Sequence, residues 1–186
     1  FTTIAAWSCI DLRNLDQAQR YLHESTTFAG LSQDPPTELR VWLNATMLAY
    51  QRKNWPEALA AAKAARASTA ARRDPFFDSL GRVRVALAYA SLGDRNAAKR
   101  SLGCAQESLG KAADLERPRW TAFYGAAELN HLAAIVHYRS GRFAESEAMV
   151  HRALTQIPTA FRRNRALATA QLALAQLHQD EVEQAT

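Results

Sequence analysis

Small residues recur at fixed positions along this chain, and this recurrence constrains the fold more than any other feature. One set is spaced by 40, 40, 48 and 39 residues: Ala18, Ala58, Ala98, Ser146 and Ala185. A second set stands twelve positions before each member of the first: Ala6, Thr46, Ala86, Ala134 and Ala173. Two helices approach closely only where their facing side chains are small. The recurrence therefore predicts a stack of similar helix pairs.

Apolar residues elsewhere recur at spacings of three and four, and no stretch alternates as a strand would, so the pattern predicts an all-α chain. Prolines mark the joints between units because proline cannot continue a helix. The predicted helices cover residues 1–12, 15–28, 37–53, 55–71, 76–92, 94–113, 119–140, 143–157 and 161–179. All of them are expected to belong to one domain, residues 1–186.

Composition excludes several classes of protein. A hydrophobic content of 48% is too high for a disordered chain, and no apolar run approaches the roughly 18 residues of a membrane span. Cys9 and Cys104 are isolated, which favours a reducing compartment and a cytoplasmic location. The net charge of +5 leaves two interpretations open, solvated or ligand-facing surface charge and direct contact with phosphate groups.

Motifs of the common enzymes are missing from the sequence. The five histidines form no HExxH, the two cysteines form no CxxC, and no serine lies in a GxSxG turn. We therefore expect a protein that is not an enzyme and that uses no metal or other cofactor.

The segments Gly93–Ala98 and Gly141–Ser146 place a glycine five residues before a small residue of the repeat. Arg13–Ala18, Lys53–Ala58 and Asp180–Ala185 repeat this spacing without the glycine. With the proline that closes each unit, this pattern resembles the tetratricopeptide repeat, although the units are longer than the usual period of about 34 residues. The resemblance implies an α-solenoid, a right-handed superhelical array of about four and a half helical hairpins. The expected units are roughly 1–34, 37–74, 76–116, 119–158 and an incomplete 161–186.

A narrower resemblance lies in the second half of the chain. It rests on Trp120, Phe123–Tyr124, Ala127–Glu128–Leu129 and the run from Arg163 to Leu167. These features are similar to the C-terminal repeat region of actinomycete transcriptional regulators with an XRE-type helix-turn-helix. The resemblance implies a DNA-binding domain before Phe1, through which alone nucleic acid would be contacted. Related quorum-sensing regulators bind short signalling peptides on the concave face of their repeats.

In an array of this kind, the first helix of each pair lines the concave face. The candidate ligand-binding residues there are Arg40, Asn44, Met47, Tyr50, Arg84, Leu87, Glu128, His131, Tyr138 and Gln171. Further residues that would support the site or contact the ligand are Trp120, Tyr124, Arg163, Asn164 and Arg165. Amides can pair with a peptide backbone, and arginine can pair with a carboxylate.

Structural roles for the same residues stay open at this point. Tyrosine and methionine at helical spacing also suit a core, and Glu128, His131 and residues 163–165 also suit a hydrogen-bond network between repeats. Two functions follow as hypotheses. One is a regulator domain that senses a peptide or small effector, and the other is a scaffold that binds a protein partner or a second copy of itself.

Overall fold

The structure is a computed structural model that describes residues 1–179. It confirms the prediction of an all-α chain, with no strand among these residues. The α-helices are α1 (Thr2–Asp11), α2 (Leu15–Ser32), α3 (Pro35–Gln51), α4 (Trp55–Ala67), α5 (Thr69–Arg73), α6 (Pro75–Ser91), α7 (Arg95–Gly110), α8 (Ala126–Arg139), α9 (Phe143–Gln156) and α10 (Arg162–Leu177). None of them is long and apolar enough to cross a membrane.

The helices pack in pairs that follow the chain: α1 on α2, α3 on α4, α6 on α7 and α8 on α9. The first helices of successive pairs also contact each other in chain order, α1 on α3, α3 on α6, α6 on α8 and α8 on α10. These five helices therefore form one continuous wall of the molecule.

The turn inside each pair has the same backbone conformation in all four cases. A left-handed residue, with φ of 58°, 56°, 84° and 74°, stands at Arg13, Lys53, Gly93 and Gly141. The next residue then donates its N–H to the carbonyl five positions earlier, as Asn54 does to Ala49 at 2.9 Å. Glycine adopts this conformation without a steric penalty, whereas arginine and lysine do not. The spacing seen in the sequence thus marks one recurring turn, with or without glycine.

The small residues of the repeat are buried where the helices of a pair meet. Ala18, Ala58, Ala98 and Ser146 are each 0% exposed. The hydroxyl of Ser146 keeps its hydrogen bond there by donating to the carbonyl of Ala134 at 2.9 Å. A larger side chain at any of these positions would push the two helices apart. Ala185 and the segment Asp180–Ala185 lie outside the described residues.

Two predicted helices are interrupted or shortened in the structure, whereas the ends of the others differ from the prediction by at most four residues. The helix predicted over 55–71 is interrupted at Ser68, whose side chain accepts the N–H of Ala71 and starts the short α5. The helix predicted over 119–140 is wrong in its first part, since residues 119–121 form a single 3-10 turn and α8 begins at Ala126.

Tertiary contacts explain the second difference. Trp120 stacks on Phe77 with ring centroids 6.1 Å apart, and the hydroxyl of Tyr124 lies 2.7 Å from that of Ser79. Both contacts reach α6 from the segment before α8. Aromatic packing of this kind overrides a local preference for helix, which is worth only tenths of a kcal/mol per residue.

Candidate functional site

A cavity of about 530 Å³ opens along the wall formed by the first helices, and we call it the central cavity. Its lining comes from α1, α3, α6, α8, α10 and the segment that precedes α8. The lining residues are Trp7, Arg40, Leu43, Asn44, Met47, Tyr50, Gln51, Arg84, Leu87, Trp120, Phe123, Glu128, His131, Leu132, Ile135, Arg139, Arg163, Asn164 and Leu167. The volume lies within the range of about 300–1,000 Å³ that is typical of small-molecule sites.

Most of the residues singled out from the sequence come together in this cavity. The lining includes Arg40, Asn44, Met47, Tyr50, Arg84, Leu87, Glu128 and His131, and also Trp120, Arg163 and Asn164. They come from five separate segments of the chain, and the packing of the first helices brings them to one place.

Four of the predicted residues do not line the central cavity. Tyr124 is buried in the core against Ser79, and Arg165 donates to the carbonyls of Leu154 and Ile157 near the end of α9. Tyr138 packs against His178, with its hydroxyl 3.4 Å from the imidazole Nδ1. Gln171 is buried elsewhere on α10. The contacts of Tyr124, Arg165 and Tyr138 hold helices together. Gln171 has a buried Nε2 without a hydrogen-bond partner among the described residues, but it lies outside the lining of the cavity.

Other lining residues were not among the candidates. Trp7, Phe123 and Arg139 contribute two aromatic rings and a further cation. A signal for Trp7 exists in the repeat, because the residue after four of the five small residues of the second set lines the cavity: Trp7, Met47, Leu87 and Ile135. No comparable signal marks Phe123, which lies in the segment that the periodicity assigns to a helix.

Three polar groups that belong to lining residues are fully buried and have no hydrogen-bond partner within residues 1–179. They are the hydroxyl of Tyr50, Nε of Arg84 and Nδ1 of His131. Arg84 is only 7% exposed and His131 only 8%. Buried polar groups are normally paired, and each exception calls for an explanation. Here the three exceptions share one cavity, although they come from α3, α6 and α8.

Asn44 differs from these groups because it already has a partner. Its Nδ2 donates to the backbone carbonyl of Thr3 at 2.9 Å, which ties α3 to α1. The side-chain oxygen and the second N–H of Nδ2 are what Asn44 can still offer to a molecule in the cavity. Its role is therefore partly structural.

Burial controls the protonation of two titratable groups in the central cavity, those of Tyr50 and His131. Desolvation raises the pKa of Tyr50 to about 12, although the nearby charges of Arg139 and Arg84 oppose this rise, as does the side chain of Ser91, which lies close to the hydroxyl but outside hydrogen-bond geometry. Desolvation also lowers the pKa of His131, against the opposing effect of Glu128 and with a smaller contribution from Arg84. At neutral pH the phenol and the imidazole are therefore both uncharged, and they are available for hydrogen bonds.

Arginine dominates the charge of the lining. Four guanidinium groups, those of Arg40, Arg84, Arg139 and Arg163, face a single carboxylate, that of Glu128. Glu128 accepts a long hydrogen bond of 3.4 Å from Asn164 on α10. Across residues 1–179 no group of three or more His, Cys, Asp or Glu side chains is placed to hold a metal ion. The central cavity is thus suited to bind a molecule that carries negative charge.

No known protein-family model matches the chain. A comparison with curated proteins likewise gives no significant match.

Proposed function

We propose that this chain is a non-catalytic sensor domain that binds a peptide or small effector in the central cavity. The observation that carries the proposal is the convergence of Tyr50, Arg84 and His131 on one cavity. Each of these residues lines the cavity and has a buried polar atom without a hydrogen-bond partner among residues 1–179. A fold that needed these residues only for packing would use apolar side chains, since unpaired buried polar groups cost stability. A bound molecule would supply the missing partners once these side chains turn toward it.

The helix pairs support a repeat architecture for this sensor. The recurring turn at Arg13, Lys53, Gly93 and Gly141, and the chain-ordered contacts of the first helices, are what a right-handed solenoid of tetratricopeptide-like hairpins would have. The wall of first helices would then be the concave face on which such arrays bind their ligands.

The proposed response is a change in the spacing of the helix pairs. A ligand that contacts α3, α6 and α8 together would alter the small rotations between successive pairs, which add up along an array. In a transcriptional regulator this change would be relayed to a helix-turn-helix DNA-binding domain. Such a protein would work in the cytoplasm.

Native mass spectrometry of the protein, purified gently from its own cells, tests the sensor function. We expect a low-molecular-mass species to co-purify with the protein and to remain bound in the spectrum. Ile135 lines the central cavity, so the larger ring of the variant Ile135→Trp should occupy part of its volume. This variant should therefore not bind the co-purifying species. Leu31→Trp adds the same ring at a site on α2 that is 75% exposed, and it should keep the species. Circular dichroism spectra confirm that both variants fold.

The absence of any bound species, or a species that Ile135→Trp retains in full, would contradict the sensor function. The second candidate function, docking of a protein partner or a second copy, would then be preferred. It is favoured by Phe28 and Leu31, which are three positions apart on α2 and 57% and 75% exposed. Light scattering after size exclusion would test it, since the double variant Phe28→Ser, Leu31→Ser should lose a dimer if α2 forms the interface.

A further inference from the structure

Arg84 is a buried cation without a carboxylate partner in the described part of the chain. Its Nη1 donates to the sulfur of Met47 at 3.3 Å, and its Nε has no acceptor. None of the ion pairs among residues 1–179 includes it. A guanidinium group stays charged at any pH that a protein experiences, and a buried charge is costly unless it is paired. The position therefore favours an anion that residues 1–179 do not provide.

The other arginines of the central cavity have interactions of their own. Arg163 pairs with Asp11 on α1, and the guanidinium of Arg40 lies 5.5 Å from the centre of the Trp120 ring. An incoming anion would have to displace the carboxylate of Asp11 from Arg163 or the ring of Trp120 from Arg40, whereas Arg84 has no ion pair or cation–π contact to give up. An ion pair between a ligand and Arg84 is therefore the most favourable of those that the cavity offers.

The guanidinium group of Arg84 is the part of this residue that recognises a carboxylate. Its Nε is fully buried, and Nη1 donates only one of its two N–H bonds to Met47, so the second N–H of Nη1 and those of Nη2 are left for a ligand. A guanidinium group binds the two oxygens of one carboxylate through a pair of N–H bonds. The side chains of Tyr50 and His131 line the same cavity, although their unpartnered hydroxyl and Nδ1 atoms are themselves buried.

The rest of the cavity sets limits on the ligand. The lining also contains an apolar surface. Trp120 and Phe123 contribute to it from the segment before α8, Leu87 from α6 and Ile135 from α8. The carboxylate of Glu128 lies in the same lining and disfavours a second negative charge on the ligand. A volume of about 530 Å³ suits a molecule of drug size rather than a long extended peptide.

Resting on the sensor function proposed above, we infer that the central cavity binds a small organic acid with one carboxylate and an apolar ring-containing body, whose carboxylate pairs with the Nη1–Nη2 end of the Arg84 guanidinium. The ligand class is thus narrowed from peptides and small effectors in general to monoanionic acids.

Calorimetric titration with a matched pair of probes tests the inference. The probes are 2-naphthoate and its uncharged analogue 2-naphthamide, which share one ring system. We expect the acid to bind about tenfold more tightly than the amide or better, which corresponds to the usual strength of a charge-assisted hydrogen bond. In Arg84→Met, which keeps a long apolar side chain, the two probes should bind equally. In Arg20→Met, which removes an exposed arginine on α2, the preference for the acid should remain.

The inference is overturned if the amide binds as tightly as the acid, if Arg84→Met keeps the preference, or if neither probe binds at millimolar concentration. These results are distinguishable from a failure of the sensor function. A neutral co-purifying molecule that is lost in Ile135→Trp and kept in Arg84→Met would support a sensor while excluding an acid as its ligand.

Discussion

Arg163, at the start of α10, donates to the carboxylate of Asp11, at the end of α1, although 152 positions separate the two residues in the chain. The pair joins the first and the last of the helices that form the wall. Trp7 of α1 and Asn164 of α10 both line the central cavity beside it. The series of helix pairs thus curves far enough for its two ends to meet across the cavity.

We expect Asp11→Asn to loosen this closure without unfolding the protein. Both side chains are about half exposed, and such pairs contribute less than about 1 kcal/mol to stability. Amide hydrogen exchange in α1 and at the start of α10 should become faster, whereas exchange in α6 should not change. Asp16→Asn, which removes an exposed aspartate near Arg52, is the control and should leave α10 unaffected. Equal exchange in the two variants would mean that the pair does not hold the ends together.

Arg84→Met should stabilise the protein by about 1 kcal/mol or more, because it replaces an unpaired buried charge with an apolar side chain. Urea unfolding followed by circular dichroism measures the change. Arg20→Met alters an exposed position and should stay within about 0.5 kcal/mol of the original protein. A destabilised Arg84→Met protein would show that Arg84 has a structural partner of its own.

Ala58→Leu should cost about 1–3 kcal/mol of unfolding free energy, because the added methylene groups have no room between α4 and α3. Ala60→Leu, on the exposed face of the same helix, should change stability by less than about 0.5 kcal/mol. Thermal and urea unfolding of the two variants provide the comparison. If both tolerate leucine equally, close approach at the small residues is not what holds the pair together.

Lys53→Gly should stabilise the protein, since lysine at a φ of 56° pays about 1 kcal/mol for the left-handed conformation that glycine adopts freely. Gly93→Ala, at a φ of 84°, should destabilise it by a similar amount. Gly103→Ala is the control, because this residue lies inside α7 with open space around it and alanine there favours the helix. If the urea midpoints of all three variants shifted in the same direction, the left-handed conformation would not be what determines stability at these turns.

His131 should make the protein less stable as the pH falls. Burial holds its pKa in the folded state below the ordinary value of 6.5, so the unfolded state binds the proton first as the pH drops through that value. The unfolding free energy should therefore decrease between pH 7.5 and 5.5, by at most about 1.4 kcal/mol per pH unit for this one group. His131→Gln should reduce the slope. The exposed His23→Gln should leave it unchanged, and identical slopes for the two variants would rule out His131 as the source.

The sequence by itself determined where the helices pack most closely and where the chain turns. Ala18, Ala58 and Ala98 could be assigned to contacts between helices because their spacing repeats, and repetition reflects local steric limits that act in the same way in every unit. The same spacing located the turn at Lys53 although glycine is absent there. These features depend on residues close together in the chain, so the sequence alone reveals them.

Only the tertiary structure decided which polar side chains are left without partners. Arg84 and Arg165 are both candidate ligand-binding residues in the sequence. In the structure Arg165 donates to the carbonyls at the end of α9, whereas Nε of Arg84 has no acceptor in the part of the chain that the structure describes. The pairing of Asp11 with Arg163 is equally invisible in the sequence. A hydrogen bond forms only when two groups come within about 3 Å of each other, and for distant residues that distance depends on the stacking of every helix pair between them.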